Sequence, residues 1–212
     1  MVKVKRQLIA KDNYKGQITG IFSPLLKKIR VLKTRKWISG KSVLDCGCGR
    51  ARLLSLLPKD ITYVGIDMDQ PLIINNQKRY PKVKFLCLNI EQYPLADLKF
   101  DSIAILAVIE HFQNPQRVLE KLKSNLFEGG RIIITSPVKK SLFLLKIGSK
   151  LGLFSKEAQN EHKKLFSKQE LEKLLKDSGF LIEKYTTFLF GMNQLIVGRI
   201  ETANSLFERV LI

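Results

Sequence analysis

Acidic side chains are scarce in this chain. Nineteen Asp and Glu stand against 37 Lys and Arg, for a formal net charge of +18 over 212 residues. No acid falls between Asp12 and Asp45, although Lys27, Lys28, Arg30, Lys33, Arg35, Lys36 and Lys41 all do. A second basic stretch holds Lys139, Lys140, Lys146, Lys150 and Lys156. Such a surplus suits a solvated lysine-rich surface, or an anionic partner: nucleic acid, an acidic membrane surface or a phosphorylated substrate. Cysteine is equally sparse. Cys46 and Cys48 are too close for an easy disulfide, and with only Cys87 besides them no second pair completes a zinc site, so a reducing, cytoplasmic setting is expected. No run of about 18 uncharged apolar residues is present to cross a membrane. Met1 to Ile9 is basic but lacks the apolar stretch of a secretion signal. The two histidines, His111 and His162, restrict the choice of neutral-pH acid–base groups.

What is present is 45% hydrophobic and ordered by period. From about Lys41 onward helical and strand patterns alternate, which predicts an open, mostly parallel α/β sheet with helices on both faces. Strands are expected at Ser42 to Cys46, Ile61 to Ile66, Val83 to Leu88, Phe100 to Ala107, Arg131 to Thr135 and Phe180 to Phe190. A seventh at Leu195 to Ile200 is left open. Helices are expected from Ala51 to Leu57, stopped by Pro58; after Asp69 with Pro71 in its first turn; from Asn114-Pro115, ending before Gly129 and Gly130; and from Ser167, whose Glu170 completes a capping box, to Gly179. Two segments lie outside the alternation. Residues 1–40 read as an N-terminal helical extension of one or two amphipathic helices. The remaining 41–212 form the main domain, interrupted by a helical lid at about 138–164.

The chemistry concentrates in Val43-Leu44-Asp45-Cys46-Gly47-Cys48-Gly49-Arg50-Ala51. A strand runs into a glycine turn at the carboxyl end of the sheet, where ligands of open α/β folds bind. Gly47 and Gly49 allow close backbone approach. Asp45 suits a cationic or hydrogen-bond-donating ligand and would repel a pyrophosphate, which favours the aminoacyl end of S-adenosylmethionine over a dinucleotide. At the end of the second strand, Val64-Gly65-Ile66-Asp67-Met68-Asp69 offers an acid some twenty residues after the turn, where a carboxylate can bridge two ribose hydroxyls. Asp67 is assigned to the ribose and Asp69 to capping.

With these segments the chain resembles the class I methyltransferases, of Rossmann-like fold, and within them the small-molecule family that includes ubiquinone-biosynthesis enzymes. The resemblance runs from about Ser42 to Lys184. It continues through Phe85-Leu86-Cys87-Leu88-Asn89-Ile90-Glu91, through Phe100-Asp101-Ser102-Ile103 to Val108-Ile109-Glu110-His111, through Leu126-Phe127-Glu128-Gly129-Gly130-Arg131, and through Glu161-His162 with Phe166-Ser167 to Gly179-Phe180. It implies S-adenosylmethionine as cofactor. Asp45, Gly47, Cys48 and Gly49 would surround its methionine part, Asp67 and Met68 its ribose, and Asn89 and Ile90 its adenine, with backbone near Ala107 beside the sulfonium. Ala51 stands where the family commonly has Gly, a change too small to abolish binding. Some relatives hold a divalent metal through Glu-x-x-Glu-His. Here Ala107 replaces the first carboxylate, so no catalytic metal is expected.

The expected activity is transfer of a methyl group to a small-molecule or lipid-like acceptor, with anionic chemistry suggested by the charge. His111 would serve as a base or a cofactor shelf, and His162 would touch substrate. Phe143, Ile147, Leu151 and Phe154 share one helical face of the lid, bordered by Lys146 and Lys150. That face suits a cap over the pocket, or an interfacial helix on an anionic lipid surface that would place the protein peripherally at a membrane. The alternative activity is nucleic-acid (RNA) methylation, favoured by charge. Against it stand the missing Asn/Asp-Pro-Pro-Tyr/Phe motif after strand four and the missing nucleophilic Cys after strand five. A non-enzymatic adaptor is disfavoured by the intact Asp45, Gly47, Gly49 and Asp67 set. A hydride-transferring dehydrogenase is disfavoured by the absent Gly-x-Gly-x-x-Gly.

Overall fold

A computed structural model of the chain describes residues 23–95, 97–139 and 165–200. Seven strands form one sheet: β1 (Ser42–Cys46), β2 (Thr62–Asp67), β3 (Lys84–Cys87), β4 (Phe100–Leu106), β5 (Leu126–Pro137), β6 (Leu181–Phe188) and β7 (Asn193–Arg199). Their order is β3-β2-β1-β4-β5-β7-β6, with β7 antiparallel to both neighbours and every other pairing parallel. The chain order reverses between β1 and β4, which sets a ligand crevice at their carboxyl ends. The open question of the seventh strand is answered by β7, whose first six residues are all buried.

The helices arise where short-range signals agree with burial. In α2 (Gln70–Arg79), Asp69 accepts from the Leu72 N–H and Pro71 occupies the first turn. In α3 (Pro115–Ser124), Asn114 accepts from the Arg117 N–H, and Val118, Leu119 and Leu122 turn to the core. In α4 (Lys168–Asp177), Ser167 and Glu170 form the complete capping box. The core lies in two layers, one on each face of the sheet. Leu44, Cys46, Val64, Ile66, Ile103 and Ile105 face α3 and α4 together with Leu119, Leu122, Leu171 and Leu175. Val43, Tyr63, Ala104 and Leu53 fill the other face with Val31. Ile133, Leu195 and Val197 join that side with Ile29 and Trp37. Val31 and Ile29 belong to α1 (Ser23–Arg35), the described part of the N-terminal extension, so α1 is laid across the sheet.

Two expectations need correction. Ala51 to Leu57 is not an α-helix but a set of turns with one 3-10 segment, Leu54–Leu56. Ala51 takes a left-handed φ of 52°, and Leu57 is extended ahead of Pro58, leaving too few residues for a stable helical nucleus. The fifth strand begins at Leu126 rather than at Arg131, because Leu126 is already paired with Phe100 and β5 runs through both glycines, while the helix begun at Pro115 ends before them at Ser124. Most of the expected lid, residues 140–164 with His162, lies outside the described residues, as do residues 1–22 of the extension.

Candidate cofactor site

The carboxyl ends of β1 and β2 build the crevice. Alternation puts Val43 and Asp45 on the α1 face of the sheet, with Leu44 and Cys46 on the other. Along β2 the same alternation groups Tyr63, Gly65 and Asp67. Asp45 pairs in register with Gly65, so both acids share one face. Asp45 is only 2% exposed, and one of its oxygens accepts from the Tyr63 hydroxyl at 2.6 Å. Burial raises its carboxyl to about 7; the Tyr63 hydrogen bond pulls it down and neighbouring Asp67 pushes it up. Burial likewise raises the Tyr63 hydroxyl.

The turn itself is stitched to β2. The Gly47 and Cys48 N–H groups both donate to the Ile66 carbonyl, at 2.8 and 2.9 Å. Gly47 has φ 76°, and a Cβ there would collide with Val108, so both its backbone and the close approach of the loop after β4 require glycine. The Asp67 carboxylate accepts from the Gly49 N–H at 2.8 Å and from the Asp69 N–H at 3.0 Å. Asn76 of α2 donates to the Gly49 carbonyl at 2.7 Å. Asp67 therefore shapes the glycine turn in addition to any contact it offers a ligand, and each oxygen retains a lone pair for a further donor. Cys48 is buried against this scaffold, and burial raises its thiol beyond any nucleophilic role at neutral pH.

The remaining expected contacts fall around this turn. Met68, 57% exposed, follows Asp67 at the strand tip. The Leu88 N–H donates to the Asp67 carbonyl at 2.9 Å, which brings the loop carrying Asn89 and Ile90 beside Met68. The Asn89 side chain accepts from the Glu91 N–H at 3.0 Å, and Ile90 is buried. Ala107 leaves β4 with φ 56° and donates its N–H to the Thr135 carbonyl at 2.8 Å. His111 ends the short 3-10 turn Ile109–His111, half-buried, its N–H bonded to the Val108 carbonyl at 2.9 Å.

Several positioning residues escaped the sequence reading. Tyr63 has the only available signal, since it lies two residues before Gly65 on the Asp45 face of β2. Glu91 accepts from the Gln113 and Asn114 N–H groups, at 2.7 and 3.1 Å. Lys121 reaches back to the Ile90 and Glu91 carbonyls, at 3.2 and 2.9 Å. These contacts span twenty residues or more and leave no local pattern. A shallow depression of about 470 Å³ lined by Leu86, Leu88, Leu95 and Leu98 flanks the outer part of β3. It lacks the polar groups gathered at the glycine turn.

Two carboxylates on one face, a turn open at Gly49 and a polar loop beside them suit a ligand with a cationic amino end and a ribose. Comparison with known proteins agrees. The family model that matches residues 38–187 is described as a methyltransferase domain. A tRNA U34 carboxymethyltransferase of Campylobacter curvus is 32% identical over 113 residues, covering 50% of this chain and 38% of that protein. A ubiquinone biosynthesis O-methyltransferase of Coxiella burnetii is 26% identical over 114 residues, covering 51% and 49%. This chain thus spans less than half the length of either relative. A plantazolicin methyltransferase solved in complex with SAH superposes with a TM-score of 0.64 at 20% identity, over 81% of this chain and 80% of that one.

Proposed function

The chain belongs to the methyltransferase domain family, and from that premise we propose that it is an S-adenosylmethionine-dependent methyltransferase acting on a small-molecule or lipid-like acceptor of anionic character. The observation that carries this reading is the convergence of Asp45 and Asp67 on one face of the sheet, joined through the turn from Gly47 to Gly49. In this reading Asp45, Gly47, Cys48 and Gly49 hold the aminoacyl end. Asp67 and Met68 hold the ribose, Asn89 and Ile90 flank the adenine, and backbone at Ala107 lies by the reactive sulfur. When bound, the cofactor supplies an already activated methyl group. The protein's tasks are therefore to orient the acceptor and to exclude water. His111 would accept a proton from a hydroxyl acceptor, and His162 would contact substrate from the lid. The helix α1 would cover the acceptor side.

Calorimetry with S-adenosylhomocysteine tests the reading. Saturable binding in the micromolar range is expected, and no heat at millimolar ligand would overturn it. A second reading, RNA methylation, draws on the +18 charge and on relatives named as tRNA enzymes. Retention of transfer RNA in a gel at both low and physiological salt, with competition by unmodified transcript alone, would favour it over the first.

A further inference from the structure

Glu110 is completely buried, and neither of its carboxylate oxygens has a hydrogen-bond partner on another residue, so that its charge is supported only by its own backbone N–H and then by the field of a cation. A buried carboxylate in that condition is costly, so such groups mark places completed by something else. Arg30 of α1 is the cation that acts on it. Its Nη2 donates to the Asn193 side chain at 3.2 Å, while its Nε, also buried, has no partner. A third orphan is the Thr135 hydroxyl, 0% exposed on β5. Alternation places Thr135 on the face of Ile133, the face against which α1 packs. Among the described residues these three account for every buried side-chain polar atom without a partner.

Their location gives the coincidence meaning. Glu110 follows Ala107 by three residues, and the Ala107 N–H is bonded to the Thr135 carbonyl. Val108, two residues before Glu110, packs against Gly47 of the turn. The orphaned groups thus adjoin the tips of β4 and β5, under α1 and next to the glycine turn. Further positive charge lies near Arg30: Lys27 is held below its ordinary pKa by burial and then by Arg52, Arg30 and Arg50, so each of these arginines lies near Lys27.

We propose that Arg30, Glu110 and Thr135 form the acceptor subsite, and that they take a hydroxyl or amine donor adjacent to an anionic oxygen, as in a hydroxy acid. This rests on the methyltransferase reading above. The donor answers the Glu110 carboxylate, the anionic oxygen answers Arg30 Nε within the field of Lys27, Arg50 and Arg52, and Thr135 can give or accept. Burial raises Glu110 to about 7, so near neutral pH it alternates between acceptor and neutral donor and does not strongly repel an anion.

The test uses the full chain saturated with S-adenosylhomocysteine and titrated calorimetrically with 2-hydroxybenzoate, with 2-methoxybenzoate as the analogue lacking the donor. The wild type is expected to prefer the hydroxyl compound by about tenfold, the value of one lost bond to a charged group. Glu110→Gln should erase most of that preference. Arg30→Gln should weaken both compounds by about tenfold, and Arg30→Lys by less. Circular dichroism melts confirm that each variant is folded, and Arg30→Lys keeps the test alive if Arg30→Gln is not. If S-adenosylhomocysteine binds but 2-hydroxybenzoate does not, or binds all variants alike, Arg30 and Glu110 are only a structural charge pair and the proposal fails alone. If Arg30→Gln loses S-adenosylhomocysteine instead of the probe, Arg30 serves the cofactor and the proposal also fails. If S-adenosylhomocysteine itself does not bind the wild type, the methyltransferase reading falls first.

Discussion

Asp67 carries two duties that a sequence motif merges into one. It accepts from Gly49 and Asp69, and in the proposed complex also from ribose. Asp67→Ala is therefore expected to cost S-adenosylhomocysteine affinity about tenfold or more in calorimetry, by loss of a charged acceptor and by loosening of the turn. Unchanged affinity would refute the assignment. Ala51 shows a different balance. Its size is no obstacle, since it is fully buried among Val43 and Leu53, yet its φ of 52° is costly for any residue with a Cβ. Relief of about 1–2 kcal/mol of left-handed strain is offset by loss of about 0.8 kcal/mol for one buried methyl and of about 0.5–1 kcal/mol in glycine backbone entropy. Ala51→Gly should accordingly leave stability within about 0.5 kcal/mol of wild type, read as a nearly unchanged urea midpoint and slope. His111→Ala should lower turnover at least tenfold while leaving S-adenosylhomocysteine affinity within about twofold if the residue is a base. Parallel loss of both would make it structural.

Among the elements, legibility followed the range of the forces involved. The caps at Asp69, Asn114 and Ser167 are local hydrogen bonds, and all three stand where the side chains predict them. Ser167→Ala removes half of the capping box of α4 and is expected to cost about 1 kcal/mol, measured as a lower thermal midpoint. A wild-type midpoint would show that helix to be held by Leu171 and Leu175 alone. The glycine turn escaped the same logic. The segment after Gly49 has helix-forming residues, but the Asn76 bond to the Gly49 carbonyl and the left-handed Ala51 commit it to turns. The beginning of β5 was misread for a related reason. Leu126 to Gly130 has weak strand character, and the pairing of Leu126 with Phe100 and the Ile200 N–H bond to the Gly130 carbonyl supply what propensity does not.

For the molecule as a whole, pH should act through the two buried acids. Asp45 and Glu110 are both raised to about 7 by burial, so between about pH 4 and 7 the folded chain retains protons that the unfolded chain has released. Stability then falls as pH rises across that window and levels off above it, by at most on the order of 3 to 4 kcal/mol for each group. Urea midpoints at pH 5 and pH 8 check this. Equal midpoints would mean that neither acid is desolvated as described. A cationic ligand amino group beside Asp45 would favour its ionised form. Cofactor binding near pH 6.5 should therefore release protons, detectable as a buffer-dependent heat.

By itself the sequence determined the alternation of strands and helices, the caps, and the pairing of an acid before a glycine turn with an acid at the next strand's end. These are written in neighbouring residues, through side-chain period, backbone permissiveness and local hydrogen bonding. Only the tertiary structure decided that β7 inserts antiparallel between β5 and β6, that Tyr63 holds Asp45, and that Arg30 from α1 comes within electrostatic reach of Glu110 beyond β4. Those contacts join residues far apart in the chain. They are selected by how two faces of one sheet bury their apolar surface, and that selection leaves polar groups facing each other whose meeting no local pattern records.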